Sequence, residues 1–293
     1  MFAFSLPGLL VSLLFTLLLR PSSYNIDIFT STEASPRILL LTAHPDDECM
    51  FFAPTLLAIQ RQDPAAEIYS LCLSVGDADG LGDVRKKELE GSLDVLGIPA
   101  GRRWVLNHPQ LQDNISVYWD AEVIAGVVRP YIVEHAINSV LTFDTQGISS
   151  HPNHISLPGG VAHLISSLPE HNSSTPSLRL FSLITVPLAQ KYIGPLSPLL
   201  AKLDLTLNKF IDALNPTEAE LRPAVPAAAV SGLLEYRTAL VAMQKHWSQL
   251  VWFRWLYVSF SRYMWVNEWR EVIPSTPTAQ TLAAEDPTPP PKR

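Results

Sequence analysis

Arg37-Ile-Leu-Leu-Leu-Thr-Ala-His44-Pro45-Asp46-Asp47-Glu48 decides how this chain folds. An apolar run rich in Ile and Leu stops at Ala43, a dense polar cluster follows, and a second apolar run starts at Cys49. The pattern reads as a buried strand, a tight connection and a helix. In an open α/β sheet, ligands bind just past the carboxyl ends of strands. Pro45 suits the first position of a helix, where its missing N–H costs nothing. His44, Asp46, Asp47 and Glu48 are therefore expected together at the working edge of a sheet.

A second stretch repeats the arrangement. His151-Pro152-Asn153-His154 follows the strand-like run Ser139-Val-Leu-Thr-Phe-Asp144 and precedes an apolar helical pattern. His and Asp are good ligands for a zinc-like ion, and a catalytic zinc takes three protein ligands plus an open position for water. Taken singly, each motif is equally well explained by helix capping, with Asp46 and Asp47 favouring the N-terminal dipole. The recurrence of His-Pro between a strand and a helix favours one shared site instead.

These residues resemble the signatures of the zinc-dependent LmbE/PIG-L de-N-acetylases. Ala43-His-Pro-Asp-Asp-Glu48 is similar to the first motif of that family, and Phe143-Asp144-Thr-Gln-Gly147-Ile-Ser-Ser-His151-Pro-Asn-His154 to the second. The resemblance runs from about Arg37 to Asn267, apart from a variable stretch at 194–233. Leu180–Tyr192 and the run from His246 to Met264 resemble the eukaryotic branch, which deacetylates N-acetylglucosaminyl-phosphatidylinositol early in GPI-anchor biosynthesis. The resemblance implies hydrolysis of that glycolipid to glucosaminyl-phosphatidylinositol and acetate. It implies zinc, held by His44, Asp47 and His154, although His and Asp also accept other divalent ions. It further implies Asp46 as general base, protonated His151 as stabiliser of the oxyanion, and Arg85 as a contact to the inositol phosphate or sugar hydroxyls. Glu48 would orient its neighbours. Asn153 stands where several bacterial relatives carry Asp, and Asp77 where the family usually has Asn. The fold implied is a Rossmann-like three-layer α/β sandwich with a mainly parallel sheet, which the alternation of strand and helix patterns supports independently. Two other readings stay open: a deacetylase of a soluble N-acetylglucosamine conjugate, and a catalytically silent, membrane-bound binding protein.

Composition bounds the rest. The 293 residues are 47% hydrophobic and 17% charged, which fits membrane association. A net charge of -7 supplies no basic field for nucleic acid. Cys49 and Cys72 are too few for a disulfide framework and read as small hydrophobes. Phe2–Leu19 is apolar, at the lower end of transmembrane length. It lacks the positive start of a signal peptide, and its first positive charge, Arg20, follows the run. These features predict a single-pass N-terminal anchor over 1–20 with the catalytic domain facing the cytosol, and the resemblance places it in the endoplasmic reticulum membrane. A linker at 21–36, a catalytic domain at 37–273 containing the insertion at 194–233, and a disordered Pro-rich tail at 274–293 complete the expected organisation.

Within the domain, a helix from about Asp46 to Gln62 should break at Pro54. Glu67–Ser74 reads as a strand, and the glycines of 76–82 as suppliers of positive φ in a loop. Asp83 is placed to cap the helix Val84–Leu96. Trp104–Leu106 reads as a short strand, and Trp119–His135 as a helix with a break at Pro130. His108 and His135, isolated from the clusters, read as structural or surface residues. Asp144 either orients a ligand histidine or caps its loop. Pro169–Ser177 is a polar turn, and Leu178–Val186 is the last clear strand. Tyr236–Trp269 mixes Trp with Arg254 and Arg262; this suits an interfacial helix or, preferably, a core helix on the sheet.

Overall fold

Arg37–Thr42 is a strand because its apolar residues have no polar face to turn outward. Five of the six are fully enclosed, as a central parallel strand requires. In the computed structural model, which describes residues 6–30, 36–168, 178–214 and 226–273, this strand is β2 of an eight-stranded sheet. The others are β1 (Ser22–Tyr24), β3 (Glu67–Cys72), β4 (Arg103–Val105), β5 (Ser139–Phe143), β6 (Arg179–Leu183), β7 (Ala227–Val230) and β8 (Val266–Val272). The order across the sheet is β1-β7-β8-β6-β5-β2-β3-β4.

From β6 to β4 every pairing is parallel, and the remaining pairings are antiparallel. The sheet is therefore mixed rather than mainly parallel. The chain leaves β2 toward β3 and β4, then returns to β5 on the other side of β2. That reversal between β2 and β5 is the topological switch point of the sheet, where an open α/β fold leaves a crevice beyond its carboxyl edge. The connections after β2 and β5 carry the two His-Pro motifs.

The helices are α1 (Leu6–Leu19), α2 (Ala53–Gln62), α3 (Gly82–Val95), α4 (Ala121–Glu134), α5 (Gly147–Ser150), α6 (Pro152–Ser167), α7 (Leu188–Lys191), α8 (Leu196–Leu214), α9 (Leu233–Lys245) and α10 (Trp252–Phe260). α6 packs on β5 and against α4, while α9 packs against α2 and α3. The break expected near Pro54 is present: a π-helical turn, Glu48–Phe52, precedes α2, with Pro54 in its first turn. Pro130, by contrast, lies inside α4 without ending it, and Asp120 caps that helix by accepting from the Glu122 and Val123 amides at 2.8 and 3.1 Å. α3 is capped by Asp77, whose Oδ1 accepts from the Gly82 amide at 2.7 Å, and not by Asp83.

The N-terminal anchor is overturned. Among the described residues no helix is long and apolar enough to cross a membrane. α1 has 14 residues. At roughly 1.5 Å each, such a helix spans about 21 Å against a hydrocarbon core of about 30 Å. Its carboxyl end is fastened to the domain: Lys202 Nζ donates to the Leu17 and Arg20 carbonyls. Nor is 21–36 wholly a linker, since β1 pairs with β7 and Ile26 and Phe29 are buried in the core. The core helix expected within 236–269 is replaced by α9, α10 and β8, and of these α10 has only Val258 buried. The insertion at 194–233 contains α8 and β7. The polar turn Pro169–Ser177 and the tail 274–293 lie outside the described residues.

Candidate active site

β2 ends at Thr42, and the next turn places His44, Asp46 and Asp47 at the switch point with each side chain buried. Asp47 turns back to close the end of the strand, its Oδ2 accepting from the Ala43 and His44 amides at 3.0 and 2.9 Å. Its other oxygen lies 3.2 Å from His154 Nε2. Burial works to raise the Asp47 carboxyl, but the His154 and His44 rings and the His44 amide outweigh it and hold it far below the usual carboxylate range.

His154 comes from the opposite crossover, on the first turn of α6, stacked on Phe143 with ring centroids 4.1 Å apart. Its Nδ1 lies 3.2 Å from the Gly147 carbonyl, an acceptor, so the proton of a neutral ring sits there and Nε2 keeps a lone pair. His44 Nε2 faces two acceptors, Asn153 Oδ1 at 3.0 Å and Asp113 Oδ1 at 3.2 Å, which leaves the lone pair of a neutral ring on Nδ1. That Nδ1 lies 3.2 Å from His154 Nε2. His154 Nε2 thus has the His44 Nδ1 lone pair and an Asp47 oxygen each 3.2 Å away, an arrangement that repels itself unless a cation sits among them. The donor set His44, Asp47 and His154 fits a divalent ion with imidazole and carboxylate ligands. A proton offers the other relief: burial lowers the basicity of His44, yet its bond to Asp113 and the nearby Asp47 charge raise it above the ordinary value. A ring atom of His151 also lies within 4.8 Å of the two other histidines.

Asp46 has φ 112°, a backbone conformation that side chains with a Cβ rarely adopt. Its amide donates to Glu48 Oε2 at 3.1 Å, and its carbonyl accepts from the Met50 amide at 3.0 Å. Burial raises the Asp46 carboxyl, and Asp47 adds to this against the pull of Arg254. Arg254 Nη2 lies 2.9 Å from Asp46 Oδ2, off the line of a hydrogen bond, so that buried oxygen makes none. Glu48 is held in turn by His246 Nε2 at 2.7 Å and by the Ser92 hydroxyl. Cys49 sits beside this pair, with its thiol pushed well up by burial.

His151 caps α6, its Nδ1 accepting from the Asn153 amide at 3.3 Å. Burial, with the charges of His44 and His154, lowers its pKa to about 4. The ring is therefore neutral near neutral pH, with its proton on Nε2, 3.9 Å from Asp113 Oδ1. Arg85 does not stand free in a pocket. Its Nη1 donates to the Gly76 carbonyl at 2.7 Å and its Nη2 to the Pro45 carbonyl at 3.0 Å, which ties the Gly-rich loop to the first motif. Gly76, with φ 68°, is needed there, since a Cβ would fall 2.5 Å from the guanidinium carbon. Asp144 caps its loop, accepting from the Gly147 amide at 3.0 Å and from Thr185, and so reaches His154 through the Gly147 carbonyl.

The structure adds Asp113, His246 and Arg254 to the residues read from sequence. Asp113 bridges His44 and Arg85, the latter at 3.4 Å. It lies in the loop after β4, so the strand-end rule that marked His44 applied to it as well, although no motif surrounds it. His246 and Arg254 are brought in from beyond 240 by long-range packing; the run from His246 to Met264 that resembles the family contains both, but nothing in it marks them as site residues.

The family model described as PIG-L, GlcNAc-PI de-N-acetylase, matches residues 39–165. N-acetylglucosaminyl-phosphatidylinositol de-N-acetylase of Bos taurus is 38% identical over 233 residues, covering 79% of this chain and 81% of the relative. A probable enzyme of the same name from Dictyostelium discoideum is 34% identical, over 83% of this chain and 95% of its own. Among solved structures, the N,N'-diacetylchitobiose deacetylase of Pyrococcus horikoshii superposes with a TM-score of 0.54 over 96% of this chain and 99% of that one, at 15% identity, a likeness of fold. With relatives this similar over four-fifths of their length, the chain belongs to the GlcNAc-PI de-N-acetylase (PIG-L) family.

Proposed function

We propose that the protein hydrolyses the acetamide of N-acetylglucosaminyl-phosphatidylinositol, giving glucosaminyl-phosphatidylinositol and acetate, an early step of GPI-anchor biosynthesis. The observation that carries the chemistry is the approach of His44 Nδ1 and an Asp47 oxygen to His154 Nε2, each at 3.2 Å, with the adjacent residue Asp46 keeping a buried carboxylate oxygen that makes no hydrogen bond among the described residues. The substrate follows from the relatives, whose names specify this glycolipid.

His44, Asp47 and His154 would hold zinc, which when bound polarises the acetamide carbonyl and makes water more acidic. Asp46 takes the proton of the attacking water, because its Oδ2 has no other donor aligned on it and burial keeps it more basic than an exposed carboxylate. His151 steadies the oxyanion as a neutral Nε2–H donor rather than as an imidazolium. Asp46 then returns the proton to the departing amine. Glu48 and His246 hold the Asp46 backbone, and Asp113 fixes the His44 tautomer. Arg85, braced against both loops, directs positive charge toward the inositol phosphate or sugar hydroxyls. The setting that accompanies this reaction is the endoplasmic reticulum membrane, with the catalytic domain on its cytosolic face.

Acetate release from N-acetylglucosaminyl-phosphatidylinositol by the chelated protein, and again after zinc is restored, tests this reading. A soluble N-acetylglucosamine conjugate runs alongside. Zinc-restored release confined to the glycolipid is the expected result. Release from the soluble conjugate alone would discard the substrate, and release from neither, with metal bound, would leave a binding protein.

A further inference from the structure

α10 reads Trp252-Phe-Arg-Trp-Leu-Tyr-Val-Ser-Phe260, and its outer face is apolar. Trp252 is 73% exposed, Phe253 52%, Leu256 51% and Phe260 51%. The segment that leads into α8 is tied to the end of α10, the Gly194 amide donating to the Phe260 carbonyl at 2.8 Å. Leu196, Leu200, Leu203, Leu207 and Phe210 then recur at spacings of three and four as a second exposed stripe. A run of four exposed large apolar side chains on one face of a nine-residue helix is more than scattered surface hydrophobics and marks an interaction surface.

The charge on α10 is turned away from that face. Arg254 reaches inward to Asp46 at 2.9 Å. Between the arginine and the outer face, Tyr192, Phe253, Leu256, Tyr257 and Phe260 line a cavity of about 540 Å³. Arg254 also lines that cavity, so the apolar space beneath the exposed helix face ends on the arginine that pairs with Asp46. Trp and Phe opposite an inward-turned arginine is the pattern of a helix that lies in a lipid interface. A protein partner would instead call for polar groups to pair around the rim.

We infer that the outer face of α10 docks flat on a phospholipid bilayer, so that the cavity beside Arg254 sets the catalytic centre at the lipid surface. The inference rests on the glycolipid reading of the substrate, since only a lipid-borne substrate needs the centre placed there. The ion pair to Asp46 makes the coupling rigid: where α10 lies, the catalytic loop lies also.

The test uses the full chain with phosphatidylcholine vesicles. Flotation measures docking, and quenching of tryptophan emission by brominated acyl chains reports insertion. The protein should float with the vesicles and be quenched. The triple variant Trp252→Ser/Phe253→Ser/Leu256→Ser should lose at least tenfold in vesicle binding and in turnover of bilayer-embedded glycolipid. Trp252→Ser alone, outside the cavity lining, should weaken vesicle binding while turnover of lipid-free N-acetylglucosaminyl-inositol phosphate stays unchanged, and the triple variant should keep the wild-type circular dichroism spectrum, which reports that it folds. Trp252→Phe/Trp255→Phe keeps the face apolar and should keep docking while losing most of the quenching. Vesicle binding unaltered in the triple variant would overturn the inference, as would flotation without quenching. So would a wild-type dimer that disappears in the triple variant, with no vesicle binding; that result would assign the face to a second copy of the chain. Docking without acetate release from any substrate would sink the proposed reaction and leave the docking surface standing, and release without docking would do the reverse.

Discussion

At the scale of single residues, the site divides labour between adjacent carboxylates. Asp47 spends both oxygens on the strand-end amides and on His154. Asp46 holds a strained backbone and keeps one oxygen without a hydrogen bond. Asp46→Asn should therefore retain metal and lose turnover by roughly 10²–10⁴-fold, the usual worth of a positioned base. His154→Ala should lose metal binding instead. Metal content and acetate release measured on both variants check the division, and equal metal loss in the two would refute it. The buried Glu48–His246 pair makes a second expectation. Burial lowers the basicity of His246, but the Glu48 charge overrides it and raises the histidine above its ordinary 6.5. Burial likewise pushes Glu48 up, and His246 overrides it, leaving the acid below its ordinary 4.5. In the window above 6.5 the folded chain binds more protons at His246 than the unfolded chain does. Unfolding then releases a proton, and rising pH erodes the pair's contribution. On the acid side the Glu48 contribution is lost as pH falls below 4.5. His246→Gln should cost about 3 kcal/mol near pH 6, as breaking a buried pair does. Denaturant unfolding should find that cost shrinking as pH rises above 6.5; a cost independent of pH would mean that His246 is neutral in the fold.

At the scale of elements, close helix packing sets a tighter limit than helix propensity. α4 and α6 approach closely at Gly160, where a Cβ would fall 2.3 Å from Ile124 Cγ2. Gly160→Ala should destabilise by about 1–3 kcal/mol despite alanine's better helix propensity, because the branched neighbour cannot yield. Pairing it with Ile124→Ala should return part of the loss, and thermal unfolding of the single and double variants measures this. The same contrast between local and tertiary causes explains what could be read from the sequence. β2, β5 and the motifs after them were legible because buried parallel strands are unbroken apolar runs and His-Pro-Asp clusters are rare. Asp120 and Asp77 show the opposite, since capping depends on which acid the turn geometry aims at the amides. β7 is Ala227-Ala-Ala-Val230, a composition with no strand signal, and β8 carries Asn267, Glu268 and Arg270 within its span. Both became strands only because the parallel half of the sheet left an edge at β6 that β8 pairs. The Trp-rich run before β8 reads from the sequence as an interfacial helix or, preferably, a core helix; the structure divides it, with Trp247, Trp252 and Trp255 exposed and Tyr263, Met264 and Trp265 buried.

At the scale of the whole molecule, the site joins parts of the fold that are distant in sequence. His44 and Asp47 belong to one crossover and His154 to the other, on either side of the switch between β2 and β5. α9 supports Glu48 from behind by way of His246, at its carboxyl cap, and α10 holds Asp46 through Arg254. An ion shared by both crossovers stabilises the folded chain, because the unfolded chain cannot present the three ligands together. Adding zinc at a hundredfold excess over its Kd should then stabilise the fold by about 2.7 kcal/mol. For a chain of this size that corresponds to a rise in Tm of roughly 4–5 °C. Chelation should reverse the rise, and scanning calorimetry of chelated and zinc-restored protein measures it. His154→Ala should show no such response, and neither should His44→Ala. Asp46→Asn should respond as fully as the wild type, since its side chain stands outside the ligand set. A zinc response that survives His154→Ala would place the ion elsewhere. Full loss of the response in Asp46→Asn would make that carboxylate a ligand, and the proton would then need another acceptor.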